Sequence, residues 1–115
     1  MIKIKRVYDP ASPEDGFRIL VDRLWPRGIS KERAHINVWM KEIAPTNELR
    51  NWYSHDPDKW EEFQTRYRKE LSSKSDLVEQ VRHFEKEKEV ITLVYSSKEM
   101  KLNNAVALKA ILSAK

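Results

Sequence analysis

"FRILVDRLWPRG", residues 17–28, changes character at a single position. Its first five residues are almost continuously apolar and rich in branched or aromatic side chains, the composition of a short strand buried on both faces. The next seven gather Asp22, Arg23 and Arg27 around a tryptophan, a proline and a glycine. "VITLVY" (90–95) repeats the pattern: an apolar run that gives way to the polar and charged "SSKEMKLNN" (96–104). Two central strands, each ending in charge, are the frame around which the rest of the chain is read.

Outward from them, "IKIKRVY" (2–8) alternates at Ile2 and Ile4 and stops at the turn-rich "DPASPEDG", which predicts an edge strand. "INVWMKEI" (36–43) places Ile36, Val38 and Met40 on one face and Asn37, Trp39 and Lys41 on the other, a strand with one wetter side. Helical spacing fills the intervals. Thr46 caps a short helix with Leu49, Trp52 and Tyr53 inward. Asp56 caps a longer one over about 57–72, with Pro57 in its first position and Trp60, Phe63, Tyr67 and Leu71 in one stripe. Ser75 caps a third with Leu77, Val78, Val81 and Phe84 inward, and "NNAVALKAILSAK" (103–115) forms the last, with Val106, Leu108, Ile111 and Leu112 on a broad apolar face.

Strands alternating with helices predict an α/β fold: three layers, with a small, mostly parallel sheet flanked by helices. At 115 residues and 40% hydrophobic composition, residues 1–115 are expected to form one domain with a genuine core. No window approaches the roughly 18 apolar residues of a membrane span, and "MIKIKRVYD" has no apolar leader, so a cytoplasmic protein without membrane association is expected. The absence of cysteine removes disulfides, thiolate metal sites and cysteine nucleophiles together. His35, His55 and His83 fall on different predicted elements, "HDPD" (55–58) reads as helix capping, and no residue is assigned to a metal. A Mg²⁺ site combining Asp22 with Asp9 or Asp15 is chemically open but not demanded by spacing. Phosphate-loop and dinucleotide glycine fingerprints are both missing, which excludes those two motifs and leaves any cofactor unknown.

Charge is unevenly distributed. Residues 1–35 carry eight Lys/Arg against five Asp/Glu, residues 36–94 ten against twelve, and residues 95–115 four against one. If the two ends of the chain meet, they create a basic field that attracts anions. In parallel α/β sheets, ligands bind beyond the carboxyl ends of the strands, which here are the loops "DRLWPRG" and "SSKEMKLNN". Arg23 and Arg27 offer bidentate partners for phosphate or carboxylate. Ser96, Ser97, Lys98 and Lys101 add donors, and Asn103 or Asn104 opens a helix whose first amides favour an anion. Asp22 is the candidate acid/base, its structural alternative being an Asp22–Arg23 ion pair. Trp25 and Pro26 read as packing. Arg66, Arg68 and Lys69 beside Trp60 and Tyr67 suggest a nucleic-acid face only weakly, because Asp58, Glu61, Glu62 and Glu70 offset them.

"RVYDPASPEDGFRILVDRLWPRGISKE", "WMKEIAPTNELRNWY", "HDPDKWEEFQTRYRKEL" and "ITLVYSSKEMKLNNAVALKAIL" together resemble the YeaO-like family of bacterial and archaeal proteins of unknown function, along essentially the whole chain. The resemblance implies a cytoplasmic α/β protein. The chain is more distantly similar to longer relatives with an Asp-Val-Arg motif after one strand and Cys-Glu and Cys-His-Arg patterns after another. Asp22 and Arg23 match the first; Ser96, Ser97, Asn103 and Asn104 stand near the second, without its thiols or histidine. The similarity therefore implies where a site lies and leaves its chemistry open. Two functions are expected: binding or acting on a small phosphorylated or carboxylated ligand at the carboxyl edge of the sheet, or, alternatively, a nucleic-acid or regulatory partner-binding module without catalysis.

Overall fold

A computed structural model describes residues 1–114; Lys115, the last residue of the expected final helix, lies outside the described residues. The apolar runs form strands β1 (Ile2–Arg6), β2 (Phe17–Leu20), β3 (Val38–Trp39) and β4 (Ile91–Tyr95) of one sheet, in the order β1-β4-β2-β3. Every neighbouring pair is parallel. β4 is the centre: Ile4 and Ile19 both lie level with Leu93, and all five of its residues are buried. Gly16 sits at the entry to β2 with φ +65°, and a Cβ there would lie 2.3 Å from the Val90 carbonyl oxygen, so only glycine permits the close approach.

Among the described residues five α-helices complete the fold: α1 (Lys31–Ala34), α2 (Asn47–Tyr53), α3 (Trp60–Ser72), α4 (Ser75–Lys88) and α5 (Asn104–Ser113). The two faces of the sheet are covered unequally. On one, Ile19, Leu93 and Ile91 meet Leu49, Tyr53, Phe63, Tyr67, Leu71, Val81 and Leu108 in the main core. On the other, Leu20, Val94 and Val7 meet only Ala34, with Trp25, Ile29 and Ile36 packed alongside. That third layer is thus a four-residue helix and the loops that flank it.

Most capping expectations correspond to geometry. Thr46 Oγ1 accepts from the Leu49 amide, and Asp56 accepts from the Asp58 amide at 3.0 Å. Residues Pro57–Lys59 make a 3₁₀ turn that leads straight into α3, where Phe63, Tyr67 and Leu71 are buried. Ser75 is not a cap: it is the first residue of α4, whose N-cap is Lys74.

The strand expected over 36–43 is also shorter than its alternation suggests. After Trp39 the chain turns into a 3₁₀ helix, Lys41–Ile43, and the Ile43 carbonyl then accepts from the buried Tyr67 hydroxyl at 2.6 Å rather than from a strand. Ile36 also leaves the face assigned to it, packing against the second cluster while Val38 and Met40 join the main core. Among the described residues, no helix is long and apolar enough to cross a membrane.

Candidate functional site at the carboxyl edge of the sheet

Because all four strands are parallel, the loops that leave β1, β2, β3 and β4 emerge at the same edge. Together with the end of α2 and the turn after it, they line a half-open cavity of about 790 Å³. Of the nine site residues singled out in the sequence, eight line it together: Asp22, Arg23, Arg27, Ser96, Ser97, Lys98, Asn103 and Asn104. Since β1 pairs with β4, the two positively charged ends of the chain do meet here.

Asp22 joins the two central loops. One carboxylate oxygen accepts from both the amide and the hydroxyl of Ser96, at 2.9 and 2.7 Å, and the other from Asn104 Nδ2 at 3.1 Å. Asn104 also donates to the Val21 carbonyl, pinning the start of α5 to the end of β2. The Asp22–Arg23 pair considered from sequence does not form. Arg23 turns instead toward the segment after β3, donating to the carbonyls of Ala44 and Pro45 and reaching Glu42 at 3.7 Å. A shared Mg²⁺ site for Asp22 and Asp15 is also removed, because the two flank opposite ends of β2 and Asp15 is held by Lys5 and Arg18.

The loop after β4 is organised by Glu99. Its carboxylate accepts from the amides of Lys101 and Leu102, and these bonds hold its pKa below the usual carboxylate range. Ser97 Oγ accepts from the Glu99 amide, and the Asn103 side chain caps α5 by accepting from Val106. The helix therefore begins with Asn103 and Asn104 at the cavity wall. Lys101 does not line the cavity.

Three further contributions escape the sequence reading. Arg6 and Tyr8 come from the end of β1: Arg6 Nε donates to the carbonyls of Ser96 and Ser97, its guanidinium lies 4.8 Å from the Tyr8 ring centroid, and the Tyr8 hydroxyl donates to the Arg27 carbonyl at 2.6 Å. The same carboxyl-edge rule applied to the edge strand would have found them. Arg50, Asn51, Ser54 and His55 come from the end of α2 and the turn after it. Their place depends on how α2 packs, for which the sequence carries no local signal. Tyr53, stacked on Phe63 with centroids 4.4 Å apart, closes the floor and donates to the Leu102 carbonyl; burial, with Glu99 and Asp56 nearby, raises its pKa. Trp25 serves packing, donating to the Ile29 carbonyl and meeting Trp39 edge-on.

Arg27 and Lys98 are exposed, and among the described residues neither side chain forms an ion pair. Among the described residues the cavity thus combines four cations without acidic partners, Arg6, Arg27, Arg50 and Lys98, with Arg23, which reaches Glu42, and one carboxylate that accepts from three donor groups.

Fold and site define a parallel α/β protein with a basic cavity where its strands end. The chain belongs to the family described as the inactive DUF488-N3 subclade, which it matches over residues 1–115. It is 42% identical over 107 residues to the uncharacterized protein YeaO of Escherichia coli K12, covering 93% of this chain and 92% of that one. An uncharacterized protein of Mycobacterium tuberculosis H37Rv is 37% identical over 114 residues, covering 99% of this chain and 95% of its own, and its counterpart in Mycobacterium bovis is similar to the same extent. No solved structure matches the chain.

Proposed function

We propose that the cavity binds a small phosphorylated or carboxylated ligand and does not turn it over. The observation that carries this reading is the charge arrangement: among the described residues Arg27 and Lys98 have no acidic partner, Arg6, Arg23 and Arg50 line the same cavity, and Asp22 is engaged by Ser96 and Asn104. Guanidinium groups are the natural bidentate partners of such anions. Three donors engage the Asp22 carboxylate, two on one oxygen and one on the other, so it serves as a tie between the two loops. Ser96 Oγ donates to Asp22 and Ser97 Oγ accepts from the Glu99 amide, and among the described residues neither serine is hydrogen-bonded to a histidine. The family's description as inactive fits a site that holds a ligand without chemistry.

A thermal-shift and calorimetric comparison of phosphate, sulfate, citrate and sugar phosphates tests the reading. A ligand at about 100 times its dissociation constant adds about 2.7 kcal/mol to stability. The expected result is a shift with at least one of these anions that disappears in Arg27→Ala, while that variant alone melts at the wild-type temperature. Equal affinity in variant and wild type removes the clamp, and retention of oligonucleotides without any response to small anions replaces it with a nucleic-acid surface.

A further inference from the structure

The cavity is much larger than a phosphate or carboxylate group. At about 790 Å³ it falls within the range of roughly 300–1,000 Å³ that encloses ligands of cofactor or nucleotide size. Its lining is also not uniform. The ends of β1 and β4 contribute Arg6 and Lys98, and the Tyr8 hydroxyl draws the Arg27 backbone to that same side. The end of α2 and the following turn add Arg50, Asn51, Tyr53, Ser54 and His55: Tyr53 lies on Phe63 and donates to the Leu102 carbonyl of the loop after β4, and Asn51 and His55 line the cavity.

His55 is held there by unusual backbone. Ser54 and His55 both have positive φ, 48° and 57°, a conformation uncommon outside glycine. Two left-handed residues in succession turn the chain from α2 toward the Asp56 cap and leave the His55 imidazole exposed at the cavity, 6.1 Å from the Tyr53 ring centroid. Asn51 is exposed too, and its side-chain amide offers a donor and an acceptor side by side. A planar face beside a paired donor and acceptor suits a heterocycle, which presents a π-face for stacking and a polar edge for hydrogen bonding.

Resting on the anion-binding reading above, we propose that the occupant is a phosphorylated ligand carrying a planar heterocycle, of the nucleoside monophosphate class. Its phosphate lies toward Arg6, Arg27 and Lys98, and its ring lies along His55 with its edge toward Asn51. The other anions a basic cavity attracts, such as sugar phosphates, fill the first half only.

The test is titration calorimetry with three probes: inorganic phosphate, ribose 5-phosphate and adenosine 5′-monophosphate, with uridine 5′-monophosphate to sample a smaller ring. The expected order places the nucleotides at least about tenfold tighter than ribose 5-phosphate, the effect of one stacked base. His55→Asn keeps a residue that tolerates positive φ while removing the ring, and Asn51→Ala removes the amide from an exposed helix position. Each should lower nucleotide affinity about tenfold and leave ribose 5-phosphate unchanged, whereas Arg27→Ala lowers both. Ribose 5-phosphate binding as tightly as the nucleotides overturns the heterocycle assignment and leaves the anion site standing. No binding of any probe overturns both, and tight binding of a single-stranded oligonucleotide with none of the mononucleotides also overturns the assignment. Circular dichroism of each variant, with the unchanged sugar-phosphate affinity, separates loss of a contact from loss of the fold.

Discussion

Asp22 is the residue on which structure and possible chemistry most directly compete. Its position after a central strand marks it as a candidate acid/base, yet its oxygens hold the Ser96 amide, the Ser96 hydroxyl and Asn104 Nδ2. Hydrogen bonds to a charged acceptor contribute about 1.5–3 kcal/mol, and leaving partly buried donors without one costs a similar amount. Asp22→Ala should therefore lower unfolding free energy by about 2–3 kcal/mol in urea titration. Ser96→Ala removes one of the three donors, so the double variant should be less destabilised than the sum of the single ones. A carboxylate kept only for ligand or proton transfer would behave oppositely, with stability unchanged or increased on its removal. The sequence located Asp22 but not this role, because Ser96 and Asn104 are 74 and 82 residues away and only the parallel pairing of β2 with β4 brings them near.

At the scale of elements, the sequence is legible where periodicity and caps agree. The α3 stripe, the Thr46 and Asp56 caps and the two central strands correspond closely to the structure, since each is fixed by residues a few positions apart. β3 is where local pattern fails: tertiary bonds from Tyr67 and Arg23 capture the carbonyls of Ile43, Ala44 and Pro45 and end the strand early. The junction before β2 depends equally on distant partners. Arg18, buried, donates to Asp15 and to the carbonyls of Ala34 and His35, joining the turn, β2 and α1, while Thr92 of β4 donates to the Asp15 carbonyl. Burial disfavours the Asp15 carboxylate, but hydrogen bonds from Ser12, Lys5 and Arg18 outweigh it and hold its pKa below the ordinary value. A depressed folded-state pKa contributes stability in full above the unfolded value of about 3.9 and loses it as pH falls through the folded value. The urea midpoint should accordingly drop below about pH 4. In Asp15→Asn it should be lower at pH 7 and decline less on acidification; an identical acid limb in both proteins would place the acid sensitivity elsewhere.

Across the whole molecule, the sheet order turns an uneven charge distribution along the chain into a field at one edge. β1 belongs to one positive segment and β4 leads into the other, and the two strands lie side by side, so Arg6 and Lys98 line one cavity although they are far apart in sequence. This much follows from composition plus a parallel sheet, and explains why eight of the nine expected residues converge; the contribution of α2 does not, because nothing local to residues 50–55 specifies which end of the sheet they approach. A field also acts through charges that never touch a ligand. Lys101 is exposed in the loop after β4 but outside the cavity lining, whereas Lys86 lies in the last turn of α4, near the opposite, amino edge where β4 begins. Lys101→Glu and Lys86→Glu change the net charge identically, from +4 to +2. Screening lengths of about 10 Å at 0.1 M salt and 3 Å at 1 M make only the nearer charge effective, and only at low salt. Lys101→Glu should weaken anion binding about threefold at 0.05 M salt and scarcely at 1 M, with Lys86→Glu near wild type at both. Calorimetry on the two variants separates a local field from net charge: equal weakening by both would mean that the protein attracts its ligand as a uniformly basic body, and that the convergence of β1 and β4 contributes nothing to capture.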